Sequence, residues 1–346
     1  MDATPIAAPG SADALKAIRL ANGNGFAVEV IPYGATVTSL VAPDREGRLT
    51  DVVLGFRDAG DYLAPHPYFG AVAGRVAGRI TGARFVLNGE LHELAVNDPP
   101  NHVHGGKVGF DRRVWTTASL TRADGNASLR LTYRSPDGEE GYPGTVEATV
   151  TYTVTFDNEL VMETEAVTDR ATPFSLTQHS YFNLAGEGSG SVEGHELQIL
   201  GDTYAPTDER MGLLGRRESV AGNDFRVSRR IGEALPHLFQ RHGDLYFLPE
   251  TGQLSREPRV AARLYEPVSG RLLTVSTNED CIQLYTGVSL DGKLIGKSGK
   301  AYGRHAGLCL ECEGYPDGAN TPALGDIILR PGQHFSRTTI YAFSIL

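Results

Sequence analysis

The stretch from Thr145 to Phe156 constrains the fold most, because apolar and polar residues alternate through all of it. Every even-numbered position is apolar, whereas every odd-numbered position is Thr or Glu. Successive side chains on a strand point to opposite faces, so this period predicts a strand with one buried and one solvated face. Asp157-Asn158 is typical of a turn, after which Leu160 and Met162 continue the alternation on a partner strand.

Strand-like runs recur along the chain, and helical patterns are nearly absent. Asn88-Gly89 separates two short runs between Arg84 and Leu94, which predicts a two-residue hairpin. Short helices are predicted only around Arg57 to Tyr62 and around Ile231 to Ala234. Many half-buried strands without crossover helices predict an all-β protein, a large antiparallel β-sandwich. The other predicted strands are Tyr33 to Val41, His195 to Leu200, Val260 to Tyr265, Leu272 to Ser276, Ile282 to Thr286, Leu308 to Glu313 and Arg337 to Ser344.

Length and charge limit what such a protein is expected to bind. The chain has 346 residues and a formal net charge of −10, so neither nucleic acid nor an anionic membrane surface is an expected partner. No apolar run reaches the roughly 18 residues that a membrane-spanning helix needs. Residues 1–15 lack the basic segment and apolar core of a signal peptide and are predicted to form a loose tail. Residues 16–346 show no repeat or linker and are predicted to form a single domain.

The three cysteines are Cys281, Cys309 and Cys312. The last two have the C-x-x-C spacing of a redox pair or half a zinc site. They lie on a predicted strand, however, and positions three apart on a strand face opposite sides. We therefore interpret all three as buried small hydrophobic residues of a cytoplasmic protein, with no metal.

The segment TQHSYFNLAG, residues 177–186, places a histidine near the middle of the chain on a predicted strand. His179 titrates near neutrality, so it is either a hydrogen-bonded interior residue or a proton carrier in a cleft. The residues predicted to share its polar face are Ser175, Thr177, Tyr181 and Asn183.

Two further segments carry polar groups that a β-sandwich could gather into a cleft. Arg79, like Arg75, lies among Gly and Ala residues, which suits a ligand clamp and a buried salt bridge equally well. His104 forms an H-x-H pair with His102, which is a weak metal motif without further ligands. Gly105-Gly106 next to it instead indicates close approach of the backbone.

The last candidates lie in the C-terminal third of the chain. Asp244 in RHGDLYFL is typical of a turn, and Gln283 in CIQLYTG is either a functional polar group or a solvated strand residue. In GLCLECEG, Cys309, Glu311 and Glu313 share one strand face. A glutamate on a covered sheet surface has a raised pKa and can act as a base, which makes Glu311 a candidate.

These motifs resemble the aldose 1-epimerase family, also called galactose mutarotases, from about Val28 to the C-terminus. The combination of HGG-x-x-GFD with QHSYFNLAG, in this order, is specific. The segments that carry the resemblance include YFGAVAGRVAGRI (68–80), NHVHGGKVGFDRRVW (101–115), TQHSYFNLAG (177–186), IQLYTG (282–287) and LCLECEGYPDGAN (308–320).

The resemblance implies a large antiparallel β-sandwich that interconverts the α and β anomers of free aldoses such as galactose and glucose, without a cofactor or a metal. By motif, Glu311 corresponds to the general base and His179 to the general acid. The residues that correspond to sugar ligands are Arg79, His104, Asp244 and Gln283.

The chain departs from the family pattern at three places. Gly78 stands where Asn often precedes the sugar-binding arginine, which predicts a gap beside Arg79 that water or substrate fills. Glu313 stands where Gln is common, and Leu245-Tyr246 replaces the frequent His-Asn after the aspartate. These departures affect the expected substrate preference, and the expected reaction class is unchanged.

Three other functions remain open from the sequence. A sugar-phosphate epimerase on the same fold would need a cationic phosphate clamp, for which Arg75, Arg79 and Arg113 are available. A non-catalytic aldose-binding protein would not need both an acid and a base. A glycoside hydrolase would need two carboxylates beside the bond, and Asp244 with Glu311 is a candidate pair.

Overall fold

Strands dominate the computed structural model, which describes residues 8–238, 243–249 and 257–346. The strands of the N-terminal half are β1 (Ile18–Ala21), β2 (Ala27–Ile31), β3 (Thr36–Pro43), β4 (Leu49–Asp51), β5 (Val72–Ala73), β6 (Arg79–Ile80), β7 (Arg84–Leu87), β8 (Glu90–Glu93), β9 (His102–Val103), β10 (Thr116–Ala123), β11 (Asn126–Ser135), β12 (Val146–Val154) and β13 (Glu159–Thr168). The strands of the C-terminal half are β14 (Thr172–Pro173), β15 (Thr177–Gln178), β16 (Glu196–Ile199), β17 (Thr203–Ala205), β18 (Glu218–Ser219), β19 (Arg229–Arg230), β20 (Asp244–Phe247), β21 (Arg259–Tyr265), β22 (Arg271–Thr277), β23 (Cys281–Tyr285), β24 (Cys309–Glu313), β25 (Ile328–Leu329) and β26 (Phe335–Ile345).

The largest sheet is antiparallel and has nine strands in the order β10-β11-β12-β13-β26-β22-β21-β16-β19. Strand β12 confirms the alternation seen in the sequence, because its even-numbered residues from 146 to 154 are buried. Phe156 is 55% exposed, since it lies in the turn after the strand ends. The period therefore predicted the buried face of this strand correctly. It failed only at Phe156, which lies beyond the end of the strand.

Two smaller sheets complete the sandwich. One contains β1 to β4 in chain order, and the other has the order β18-β17-β20-β23-β24. A single hydrophobic cluster runs from Leu20 to Phe343 and contains buried side chains from all three sheets. The sheets therefore pack face to face around one core, which confirms the predicted all-β antiparallel sandwich.

The short local elements agree closely with the sequence. Strands β7 and β8 form a hairpin around Asn88 and Gly89, whose φ angles of 52° and 81° suit a tight two-residue turn. The first predicted helix is a 3₁₀ helix at Ala59–Leu63, and the second is the α-helix Ile231–Ala234. Within the described ranges, no helix has the length and hydrophobicity needed to cross a membrane.

The N-terminal segment is more ordered than the sequence predicts. Residues 1–7 lie outside the described part, but Ala12–Leu15 form an α-helical turn that Ser11 caps by accepting the Ala14 N–H through its Oγ. Ala14 is fully buried, and its carbonyl oxygen accepts the Tyr33 N–H at 2.9 Å. The prediction of a loose tail is therefore wrong for residues 11–15, because one small apolar residue docks this turn on the sandwich.

All three cysteines are free and buried. Cys312 lies in the large hydrophobic cluster, whereas Cys309 lies on the opposite face of β24 and contacts the ring of His179. The two residues of the C-x-x-C motif therefore face opposite sides of the strand, as predicted from its period.

Candidate active site

A cavity of about 320 Å³ lies on the outer face of the five-stranded sheet. Cavities of this order hold small ligands. Strands β6, β9, β17, β20, β23 and β24 each contribute at least one side chain, and several loops, including those before β5 and after β15 and β17, supply further walls. The cavity contains five of the six residues that the sequence singled out, namely Glu311, His179, Arg79, His104 and Gln283.

Strand pairing brings the carboxyl and amide groups side by side. Gln283 on β23 is the register partner of Glu311 on β24, and Leu245 on β20 is the register partner of Gln283. Residues paired across neighbouring strands point to the same face of a sheet, so all three side chains line the cavity. Glu313 shares this face because it lies two residues beyond Glu311.

His179 reaches the cavity from a segment that is not a regular strand beyond Gln178. The Gln178 amide donates to the carbonyl of Gly70 and to Ser180 Oγ, and its Oε1 accepts the Ser180 N–H. These side-chain bonds hold the chain beside His179, whose own N–H and carbonyl still pair with the backbone of Ala71 and Gly70. The His179 ring stacks on Tyr68 and Tyr181, with centroid distances of 5.5 Å and 5.2 Å.

The side chains of His179 and Glu311 lie next to each other in the wall of the cavity. Their closest atoms, His179 Nε2 and Glu311 Oε2, lie 3.5 Å apart. Burial lowers the pKa of His179 to about 4 and raises that of Glu311 to about 8, and Arg79 partly offsets the second shift. Burial therefore favours the neutral form of both groups, so at neutral pH the cavity holds a carboxylic acid beside a neutral imidazole.

His104 is fixed in one tautomer by the backbone of Gly78, the residue before β6. The Gly78 N–H donates to His104 Nδ1 at 3.2 Å, and the His104 N–H donates to the Gly78 carbonyl at 3.0 Å. Because Nδ1 accepts a hydrogen bond, the neutral ring carries its proton on Nε2. Burial and the neighbouring His179 lower the pKa of His104 well below its usual range, so it offers the cavity a neutral N–H donor.

A metal ion does not fit this arrangement. The ligand atoms of His104, His179 and Glu311 lie within 4.8 Å of one another, which is close enough for a metal site by distance alone. A metal on His104 Nε2 would require the ring proton to move to Nδ1, where the Gly78 N–H already points. His102 does not help, because its Nδ1 bonds the Ala95 carbonyl and its Nε2 bonds the Tyr142 hydroxyl.

Arg79 is held by a residue that the sequence did not single out. Its Nε donates to Asp98 Oδ2 at 2.6 Å, and both side chains line the cavity. Asn97 anchors this loop to β9 by exchanging hydrogen bonds with the backbone of Val103. Sequence reasoning missed Asp98 because the segment NDPPN is typical of a turn, and only folding brings it beside Arg79.

The described residues that line the cavity do not include Asp244, which the resemblance implies as a sugar ligand. Its neighbour Leu245 occupies the cavity-facing position of β20, so strand alternation turns Asp244 to the opposite face. There its Oδ1 accepts a hydrogen bond from Asn223 Nδ2 at 3.0 Å. Asp244 and Glu311 therefore do not form a carboxylate pair around one ligand.

The expected gap beside Gly78 is filled by protein. A Cβ atom added at Gly78 would lie 2.3 Å from Pro316 Cγ and 2.8 Å from Glu313 Oε1. The φ angle of Gly78 is +73°, a conformation that other residues adopt with strain. Glycine is therefore needed here for both space and backbone geometry, and no water-filled gap beside Arg79 needs to be invoked.

The cavity offers little to a phosphate group. Among the described residues that line it, Arg79 is the one Lys or Arg, and its charge is shared with Asp98. Arg75 is buried and donates to backbone carbonyls such as those of Pro143 and Gly144. Arg113 is paired with Glu139 at 2.9 Å.

Known proteins similar to this chain agree on one family. The model of the aldose 1-epimerase family matches residues 16–342. Galactose mutarotase from Sus scrofa is 42% identical over 318 residues, which cover 92% of this chain and 91% of that protein. Aldose 1-epimerase from Escherichia coli (strain K12) is 33% identical over 352 residues, which cover 99% of each chain.

Solved structures give the same result. The GalM/aldose epimerase homologue from C. elegans matches with a TM-score of 0.85 at 28% identity, covering 95% of this chain and 99% of that chain. Galactose 1-epimerase from Lactobacillus acidophilus matches with a TM-score of 0.81 at 31% identity, covering 95% and 94%. The family model spans nearly the whole chain, and the relatives are similar to it in both sequence and fold. The chain therefore belongs to the aldose 1-epimerase family.

Proposed function

We propose that Glu311 and His179 carry out the interconversion of α and β anomers that this aldose 1-epimerase performs on free aldoses. The observation that carries the assignment is the buried acid–base pair, whose facing atoms lie 3.5 Å apart at the cavity wall. In this mechanism the pair reacts with its one shared proton on His179 rather than on Glu311, whose Oε2 lies 3.5 Å from His179 Nε2. The Glu311 carboxylate then takes the proton from the C1 hydroxyl while the His179 imidazolium gives its Nε2 proton to the ring oxygen. The C1–O5 bond breaks, the aldehyde rotates about C1–C2, and reclosure returns both protons.

Burial of the pair favours ring opening. A raised pKa makes the Glu311 carboxylate a stronger base, and a lowered pKa makes the His179 imidazolium a stronger acid. After both transfers the two groups are neutral, which is the state that the desolvated cavity stabilises. Cys309 Sγ lies 3.5 Å from His179 Nδ1, so Nδ1 has a neighbour of its own and Nε2 is the nitrogen that exchanges the proton.

The remaining polar groups orient the sugar in this mechanism. His104 donates from Nε2, Arg79 donates from its guanidinium, and Gln283 offers an amide beside Glu311. Asp98 holds Arg79 in place through their ion pair. These groups suit the hydroxyls of a neutral monosaccharide, and the net charge of −10 also disfavours a polyanionic partner. The three buried, free cysteines fit a reducing compartment, so we place the protein in the cytoplasm.

Polarimetry on Glu311→Gln tests the catalytic assignment. The amide keeps the size and hydrogen bonding of the side chain but cannot accept a proton, so the catalysed rate on fresh α-galactose should fall at least about a hundredfold. Asp98→Asn serves as a control, because it removes charge from the same cavity without removing the base and should weaken binding more than turnover. Rotation that decays at the wild-type rate in Glu311→Gln would refute the assignment.

A glycoside distinguishes an epimerase from a glycoside hydrolase and from a protein that only binds sugars. A methyl galactoside keeps the remaining hydroxyls but has no proton on the C1 oxygen, so it should inhibit weakly and never be converted. A nitrophenyl galactoside should release no nitrophenol. Release of nitrophenol would indicate a hydrolase, and uncatalysed rotation of every aldose tried would indicate a protein that only binds sugars.

A further inference from the structure

Glu313 is a cavity carboxyl that the proposed chemistry does not use. It lines the cavity on the same strand face as Glu311, yet it is completely inaccessible to water. Within the described part of the chain, neither of its carboxyl oxygens has a hydrogen-bond partner. A buried polar group without a partner costs free energy, so such a group at a ligand cavity calls for an explanation in terms of the ligand.

The neighbouring residues of Glu313 offer its carboxyl group no strong hydrogen-bond partner, so we expect such a partner to come from a ligand in the cavity. Its register partner on β23 is Cys281, whose thiol is at best a weak hydrogen-bonding group. On another side, Gly78 has no side chain, and Pro316 offers only ring carbons. A side chain at Gly78 would meet Glu313 Oε1 at 2.8 Å, so the glycine makes the room that Glu313 occupies.

We propose that Glu313 binds a hydroxyl of the sugar on the side of the ring away from the anomeric carbon and thereby determines which aldoses are preferred. The inference rests on the proposed function, since it takes Glu311 to lie at C1. Residues two apart on a strand are separated by about 6.6 Å along it, a distance comparable with the width of a pyranose ring. Glu311 and Glu313 can therefore contact one sugar at opposite edges.

The protonation state of Glu313 fits a hydroxyl partner. Burial, followed by the nearby Glu311 and Glu279, raises the pKa of Glu313 well above its usual range. The neutral carboxyl has one O–H donor and one carbonyl acceptor, and a sugar hydroxyl can satisfy both. A uronic acid or a sugar phosphate would instead bring a further acidic group to a cavity that already holds the carboxyl groups of Asp98, Glu311 and Glu313.

The first test separates Glu313→Ala from Glu313→Gln with wild-type enzyme on galactose as the reference. Glu313→Ala should raise KM about tenfold while kcat changes much less, because the lost contact lies away from the reacting atoms. Glu313→Gln keeps a donor and an acceptor, so it should recover most of the lost affinity. Glu163→Gln is the matched control, since Glu163 is exposed on β13 and lies outside this cavity, and its KM should equal that of wild type.

The second test identifies the hydroxyl with 3-deoxy-, 4-deoxy- and 6-deoxy-galactose. Wild-type enzyme should show a raised KM for one of these sugars, and Glu313→Ala should show no further rise for that same sugar. Independent, additive effects for all three sugars would overturn the proposal.

Two outcomes distinguish a failure of the proposed function from a failure of the role proposed for Glu313. A wild-type enzyme without mutarotase activity would refute the function itself, whereas an active wild type whose KM is insensitive to Glu313→Ala would refute only the role of Glu313. If Glu313→Ala does not fold, the pH dependence of KM decides. The wild-type KM should rise at alkaline pH as Glu313 ionises, Glu313→Gln should lack that rise, and identical profiles would overturn the proposal.

Discussion

At the scale of single residues, the catalytic properties come from burial rather than from unusual side chains. His179 is 4% exposed and Glu311 is 2% exposed, and desolvation is the largest cause of both pKa shifts. The sequence suggested an imidazolium beside a carboxylate, whereas the folded cavity favours the neutral forms of both groups. The pair therefore carries one titrating proton at neutral pH, and its apparent pKa values belong to the pair.

The pH profile tests this description of the pair. Activity requires one proton shared by the two groups, so kcat/KM should fall when a second proton binds near pH 4 and when the last one leaves near pH 8. Between these limits the profile should be flat. His179→Asn should slow the reaction and remove the basic limb, because the general acid is gone while Glu311 must still ionise to act as the base, as measured by polarimetry from about pH 3.5 to 9.

A different result would reassign the proton donor. If His179→Asn keeps both the wild-type rate and the basic limb, His179 is structural. Tyr68→Phe provides the control for packing, because it keeps the ring that stacks on His179 and removes only the hydroxyl.

At the scale of elements, strand alternation decides which side chains reach the sugar. The period correctly predicted that Glu311 and Glu313 share a face of β24, and in the structure Leu310 and Cys312 on the other face join the core. On β20 the same rule presents Leu245 to the cavity and turns Asp244 to the other face, although the motif implies that Asp244 binds the sugar. A motif match identifies residue types, but the register of the strand determines their direction.

Substitutions on two paired strands test the assignment of faces. Gln283→Leu removes a polar group from the cavity, so KM for galactose should rise about fivefold. Asp244→Asn should change KM less than about twofold, because its side chain lies on the opposite face and bonds Asn223. Its effect should appear in the free energy of unfolding instead. A large rise of KM in Asp244→Asn, with unchanged stability, would place Asp244 in the sugar site after all.

At the scale of the whole molecule, buried ionisable groups make stability depend on pH. Between the ordinary carboxyl pKa and the raised values, the folded protein holds protons that the unfolded chain has lost, so the free energy of unfolding falls as pH rises. Buried histidines act in the opposite direction up to about pH 6.5, where the unfolded chain binds protons that the folded protein does not. The carboxyls with raised pKa include Asp111, Glu279, Glu311 and Glu313. The histidines with lowered pKa include His66, His102, His104, His179 and His195.

Stability should therefore change little between about pH 4.5 and 6.5 and decrease above that range. Glu313→Gln removes one titrating carboxyl, so the decrease between about pH 6.5 and 7.5 should be smaller than in wild type. Urea unfolding at the two pH values measures the difference. The exposed Glu163→Gln should match wild type, and an equal decrease in Glu313→Gln would mean that Glu313 is not protonated in the folded protein.

The sequence alone determined the fold class, the hairpin at Asn88-Gly89, the opposite faces of Cys309 and Cys312, and most of the candidate site. These features depend on local period and turn chemistry, or on motifs whose residue types are visible in the chain. The ion pair of Arg79 with Asp98, the stacking of Tyr68 on His179 and the docking of Ala14 were decided only by the tertiary structure. Each joins segments that are far apart or irregular, where no local pattern specifies direction. The protonation of the cavity was likewise decided by the fold, because desolvation of Glu311, Glu313 and His179 requires all of the surrounding walls.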